Sequence, residues 1–279
     1  MKLIKLKTSD NIELAGVLYE SDSKKIVIHV HGFAENFYEN RFLDSQAKIY
    51  NQNNYSLLAF NNRGSGYIKD LIKREGAKID YMIGGSAYES FVDCYLDIDC
   101  AVNYAKSLGY REIVLQGHSY GCNKVIYYYH QTLDEAIKKI ILLAPCDMVE
   151  MLRNEAEYIK ECVRNLEANK VVLNEMFPPV ILSPKTVVKD YLENSVSDFF
   201  RYRDVSYQSD VLNKIEIPVL IVIGEDDEYV FSKERSDIEK YFIRNLKKVS
   251  FLFIEGTGHD YNNKEEMVSK SCLNFIKAD

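Results

Sequence analysis

The stretch that decides the reading is Glu112-Ile113-Val114-Leu115-Gln116-Gly117-His118-Ser119-Tyr120-Gly121. Its first five residues form a short, largely apolar run, and a helical pattern begins at Tyr120. Between strand and helix sits Gly-x-Ser-x-Gly. A serine hydroxyl is a weak nucleophile unless it projects from the fold toward a base. A sharp strand-to-helix turn projects it, and the flanking glycines let neighbouring backbone pack closely. The helix that follows aims unpaired N–H groups and its positive dipole end at a developing oxyanion. Short matches of this form arise often by chance, so the strand before and the helix after are what give this one weight.

Further runs of the same type lie on either side. Ile26–Val30, Tyr55–Phe60, Lys139–Leu143, Val219–Ile223 and Val249–Ile254 are short and mostly apolar, as strands buried on both faces must be. Lys2–Lys7 and Ile12–Tyr19 instead alternate apolar with polar residues around Ser9-Asp10-Asn11, which predicts a hairpin. Helical patterns separate the buried runs. One begins near Tyr88 and stops at Gly109, a second covers Tyr120–Gln131. A third starts at Asn263, with Glu266 completing a capping box and Met267, Ser271, Leu273 and Ile276 on its apolar face. Alternating strands and helices imply an α/β fold with a doubly wound, mostly parallel sheet.

Pro145 to Pro218 encloses 72 residues, far more than one crossover needs. Val149–Leu166 has helical periodicity, Met176-Phe177-Pro178-Pro179 breaks it, and Pro184 to Asn194 suggests another short helix. The expectation is a core of residues 1–145 and 211–279, with a helical cap at 146–210 inserted between consecutive strands.

Composition excludes several classes. The chain has 35 Lys+Arg against 42 Asp+Glu, a net charge of −7, which argues against a nucleic-acid partner. No apolar stretch is long enough to span a bilayer, and the charged first 18 residues lack a signal peptide's apolar middle, so no membrane partner and a cytoplasmic location are expected. The six cysteines show no metal-ligand spacing. No pattern selects an oligomeric state.

A nucleophilic serine needs a base and a carboxylate that orients it. Only His130 and His259 follow Ser119. His130 lies about three turns into the next helix and cannot fold back. His259 sits in Gly256-Thr-Gly258-His259-Asp260, a loop directly after a strand. The carboxylate belongs in Gly224-Glu225-Asp226-Asp227-Glu228, after another buried strand, giving the order Ser, Asp, His. A second oxyanion donor is expected after the first parallel strand, at Val30-His31-Gly32-Phe33, with the backbone N–H groups of Phe33 and Tyr120 as the pair.

These residues resemble the α/β-hydrolase family over nearly the whole chain. The resemblance places the nucleophile at Ser119 and the base at His259. It also selects Asp227 over Asp226 as the acid. The His-Gly-Phe stretch is similar to that of cinnamoyl- and feruloyl-type esterases. Gly85-Ser-Ala-Tyr-Glu-Ser-Phe with Gly117-His-Ser-Tyr-Gly-Cys is similar to siderophore-ester esterases. The chain departs from the family's Asp-x-Arg-Gly-x-Gly at Asn61-Asn62-Arg63-Gly64-Ser65-Gly66.

The implied reaction is hydrolysis of a small-molecule carboxylic ester through an acyl-enzyme, with no metal and no cofactor. The alternatives are an aminopeptidase- or amidase-type reaction on the same triad, favoured by a negatively charged cleft, and a non-catalytic binder. His31, Phe199 and Phe200 are expected to touch substrate. His118 and His29 read as packed side chains, and Arg63 as a tie between loops.

Overall fold

Period-two alternation sends neighbouring strand residues to opposite layers, so a strand covered on both faces is apolar throughout. In the computed structural model, which describes residues 1–168, 171–174, 180–230 and 234–278, the apolar runs become one eight-stranded sheet. β1 (Lys2–Lys7) and β2 (Glu13–Tyr19) form the opening hairpin, followed by β3 (Lys25–Val30), α1 (Arg41–Gln52) and β4 (Ser56–Phe60). β5 (Lys69–Glu75) and β6 (Lys78–Gly84) make a separate antiparallel ribbon. Next come α2 (Cys94–Ser107), β7 (Glu112–His118), α3 (Tyr120–Thr132) and β8 (Ile137–Leu143). The 146–210 segment carries α4 (Met148–Met151), α5 (Ala156–Arg164), β9 (Val172–Asn174), β10 (Val180–Leu182) and α6 (Pro184–Asp190). β11 (Val219–Gly224), α7 (Arg235–Asn245), β12 (Val249–Ile254) and α8 (Glu265–Lys277) complete the chain.

The strand order is β1-β2-β4-β3-β7-β8-β11-β12, antiparallel only at β1–β2 and β2–β4. Ile26, Ile28 and Val30 of β3 join Ile140 and Leu142 of β8 in one core layer, against Ile98 of α2 and Val125 of α3. Val27, Ile141 and Leu143 face the opposite layer, with Phe42 of α1 and Val268 of α8. Register then places the site. Val30 pairs with Gly117, Gly117 with Leu142, Leu143 with Val222, and Gly224 with Ile254. The loops after β3, β7, β11 and β12 therefore meet at one carboxyl edge, where ligands of such sheets bind.

Several helices differ from the expectation. Val149–Leu166 is two helices, because periodicity reports which residues face inward and not whether the backbone between them is continuous. The Asp147 carboxylate caps the first helix at the Glu150 N–H, and the chain turns between Leu152 and Glu155. The Pro184 helix ends at Asp190, whose carbonyl accepts the Ser195 and Ser197 hydroxyls in place of a helical N–H. The segment is not purely helical, since β9 and β10 pair antiparallel, and the Met176–Pro179 break lies outside the described residues. The Tyr88 pattern starts as a 3-10 turn at Phe91–Asp93. The capping box at Asn263 does not form. Asn263 has φ +65°, not the extended backbone of an N-cap, and the helix begins at Glu265 without a side-chain cap. Its buried face is Val268, Cys272, Leu273 and Ile276, and Met267 points to solvent.

Arg63 ties three segments. Its Nε and Nη2 donate to Asp97 Oδ1 at 2.9 and 2.8 Å, and Nη1 donates to Asp10 Oδ2 at 3.2 Å. Asp97 is fully buried on α2, and Asp10 lies in the first hairpin turn. None of the described helices is long and apolar enough to cross a membrane. Arg63→Met leaves the buried Asp97 carboxylate the backbone N–H of residue 63 but no guanidinium, and urea denaturation should show a loss of about 3–5 kcal/mol; a loss below about 1 kcal/mol would mean that this N–H suffices.

Candidate active site

Ser119 sits alone between β7 and α3, with φ +53° and ψ −127°. A side-chain-bearing residue visits this region only under compulsion, at a cost on the order of 1–3 kcal/mol. The compulsion is visible in the backbone. The Ser119 N–H donates to the Leu143 carbonyl at 2.8 Å, and the Cys122 N–H donates to the Ser119 carbonyl at 2.9 Å. Gly121 allows the turn to press against β3, since a Cβ there would lie 2.1 Å from the Val30 carbonyl oxygen. A Cβ on Gly32 would fall 2.7 Å from Ser119 Cβ. Each glycine is set by close approach.

Asp227 and His259 reach the same edge from the loops after β11 and β12. His259 Nδ1 lies 3.0 and 3.1 Å from the two Asp227 carboxylate oxygens. The Tyr229 N–H donates to Asp227 Oδ1 at 2.9 Å and fixes the carboxylate's orientation. A carboxylate accepts, so Nδ1 carries the proton and Nε2 is left with a lone pair. The Tyr229 ring stands edge-on to the imidazole, with centroids 4.6 Å apart. Ser119 Oγ lies 3.7 Å from Cys146 Sγ, and among the described residues it makes no hydrogen bond to His259. The backbone N–H groups of Phe33 and Tyr120 donate to no acceptor among the described residues.

Ser119 and His259 both line a cavity of about 200 Å³. Phe33, Tyr67, Met148, Met151 and Val180 form its apolar wall, the last three from the 146–210 segment. Glu35, Glu228 and Asp260 supply its charge, and no Lys or Arg appears among the described lining residues.

A family model for the alpha/beta hydrolase fold matches residues 25–164. The chain belongs to the α/β-hydrolase family. Among curated proteins, it is 25% identical over 205 residues to the bifunctional esterase/perhydrolase DCH of Acinetobacter calcoaceticus, covering 65% of this chain and 72% of that one. Among solved structures, Est1E of Butyrivibrio proteoclasticus with bound ferulic acid superposes with TM-score 0.67 at 21% identity, over 98% of this hydrolase and 97% of that protein. An esterase of Pyrococcus furiosus gives TM-score 0.66 at 17% identity, over 99% and 89%.

Three expected substrate contacts of this hydrolase-family chain lie elsewhere. His31 is fully buried; its Nδ1–H donates to the Gly32 carbonyl and its Nε2 accepts the Asn62 N–H, both at 3.0 Å. Burial holds its pKa down at about 3, so it packs as a neutral ring. Phe199 and Phe200 are equally enclosed, packed edge-on or tilted between Phe91 and Phe242. Sequence position placed these aromatics over the site, but their size drew them into the core. Met148, Met151, Tyr67 and Cys146 line the cavity instead, and no spacing rule pointed to them.

No sequence pattern pointed to the ion pair beside Ser119, in which His118 is fully buried and Glu35 partly so. His118 Nδ1 lies 2.9 Å from Glu35 Oε1. Burial opposes the charge on His118, but Glu35 outweighs it and lifts the pKa to about 9. Burial likewise opposes ionisation of Glu35, yet His118 holds it down at about 2. Glu35, His118 and His259 have donor atoms within 4.8 Å of one another, the spacing a metal ion could use. His118 nevertheless has both ring nitrogens facing protein acceptors, which leaves it no lone pair for a metal.

Gly121→Ala should lower the thermal midpoint and cost at least ~1–3 kcal/mol, because the new methyl meets a backbone carbonyl that cannot rotate away. An unchanged midpoint would show that the turn can open.

Proposed function

We propose that this chain is a serine esterase acting through Ser119, His259 and Asp227. One observation carries the reading: an imidazole oriented by a carboxylate, its Nε2 without a hydrogen-bond partner among the described residues, lines the same cavity as a strained serine. The relatives support the substrate class, since the Acinetobacter calcoaceticus and Pyrococcus furiosus proteins are named as esterases and Est1E is described with ferulic acid bound. In the mechanism, a turn about χ1 moves Ser119 Oγ from Cys146 to His259 Nε2. The oxygen attacks the ester carbonyl as Nε2 takes its proton, and the oxyanion meets the N–H groups of Phe33 and Tyr120. His259 then protonates the departing alcohol. Water attacks the acyl-enzyme with the same histidine as base, releasing the acid and restoring Ser119. Asp227 holds the ring's tautomer and stabilises its charged form. The 146–210 segment acts as a cap, with Met148, Met151 and Val180 over the acyl group.

Ser119→Ala should abolish hydrolysis of a short chromogenic ester with an unchanged thermal midpoint, and a fluorophosphonate should label Ser119 in the unmodified protein. Asp227→Asn should lower kcat by ~10⁴-fold. Full turnover by Ser119→Ala would end this reading.

The acidic cavity supports a second reading, in which the substrate bears a cationic group and amide or aminoacyl cleavage shares the triad. Glu228 and Asp260 stand exposed at the mouth, where field lines add and attract cations. A choline-type ester should show kcat/KM about tenfold above a matched anionic hemiester at low salt, converging near 1 M salt as screening grows. Equal values at low salt would remove charge from the specificity, and aminoacyl amides assayed beside esters would decide the bond cleaved.

A further inference from the structure

His118 is fully buried where three loops meet, and both of its ring nitrogens face acceptors. Nδ1 lies 2.9 and 3.1 Å from the two Glu35 oxygens, and Nε2 lies 3.1 Å from the His259 carbonyl oxygen. A neutral imidazole has one N–H and one lone pair, so it would leave one acceptor facing a lone pair. Only the imidazolium satisfies both. The Glu35 carboxylate is equally committed, since Oε2 accepts the Gly32 N–H at 2.7 Å and the Asn40 amide at 3.2 Å. That amide also lies 3.4 Å from His118 Nδ1. Other groups around His118 are the His259 ring with centroids 4.9 Å apart, the Phe42 and Tyr261 rings, buried His29, and Asp260, half exposed and 4.0 Å from Nε2.

We infer that the Glu35–His118 ion pair is a charge-balanced clamp that holds the oxyanion loop, the serine turn and the base loop in one geometry. It goes beyond the esterase reading and rests on it. Its partners are 83 and 141 positions apart, so no local structure could hold them together. Glu35 anchors the Gly32 N–H and thereby the Phe33 N–H one residue on. His118 precedes Ser119 and grips the main chain of His259. The charges must cancel, because Glu35 and His259 have donor atoms within 4.8 Å. A lone carboxylate at that distance would favour the protonated, inactive form of His259, and the buried cation of His118 offsets it. These are positioning residues, since neither Glu35 nor His118 need touch the reacting atoms.

The test uses Glu35→Gln, His118→Gln and the double variant, with pH profiles of kcat/KM on a neutral ester, whose acid limb reports the free base. His118→Gln leaves the anion, so the limb should rise by about one unit; Glu35→Gln removes the partner that keeps the buried His118 ring charged, so that ring turns neutral and the limb should stay near the parent's. The double variant should return toward the parent's limb. Both single variants should lose kcat by ~10²-fold, with KM within about threefold. A His118→Gln limb that stays put or falls overturns the clamp. Should His118→Gln fail to fold, Glu35→Gln decides by its ring ¹⁵N spectra near pH 7: a His118 ring that has turned neutral supports the clamp, and one still doubly protonated overturns it. Ring ¹⁵N spectra of the unmodified protein near pH 7 give a readout apart from activity, and a singly protonated His118 ring would overturn the clamp. Ser119→Ala run alongside separates the two readings. Turnover there defeats the esterase, whereas inactivity there with an unmoved His118→Gln limb defeats the clamp alone.

Discussion

A serine held at φ +53° and ψ −127° is the point from which the rest of the site is built. That conformation persists only because its surroundings outweigh its strain. β7 is locked between β3 and β8, the Ser119 N–H is tied to the end of β8, and α3 starts at once against the Val30 carbonyl. The interior of the sheet thus sets the angle at which one hydroxyl leaves it. The same packing leaves the Tyr120 N–H without an acceptor among the described residues, so on the mechanism proposed above strain and oxyanion recognition share one cause.

Around that turn, charge is arranged with little room for error. Ser119, Asp227 and His259 are each nearly buried, and electrostatic interactions there are stronger than in water. Asp227 is oriented by a backbone N–H, His259 by Asp227, and the loops carrying them by hydrogen bonds to buried acceptors. Three of the five wall residues, Met148, Met151 and Val180, come from different elements, α4 and β10, whereas Phe33 shares the loop of the proposed oxyanion donor. The α4 and β10 part of the wall can therefore vary without moving the groups proposed to react.

The strands were legible because a doubly covered sheet demands continuous apolar runs, and each such run became a strand. The convergence of residues 119, 227 and 259 was legible for the same reason, since a parallel sheet sends every strand's end to one edge. Helix boundaries were less so: Asn263 has the chemistry of a cap but a left-handed backbone, and Asp190 ends a helix through serine hydroxyls that follow it. The β5–β6 ribbon escaped notice because its exposed residues mix charge and apolar character without clean alternation. The Glu35–His118 pair was invisible in principle, because it depends on side chains meeting across the fold and not on any periodicity.

β12 lies at the far edge of the sheet and delivers His259 late in the sequence. During translation, the serine turn and the loop bearing Phe33 leave the ribosome long before the imidazole does. On the mechanism proposed above, a nascent chain carrying Ser119 alone has no proton acceptor, and it stays chemically silent until the last strand docks. The order of the polypeptide thereby postpones reactivity until the cavity that confines it has closed.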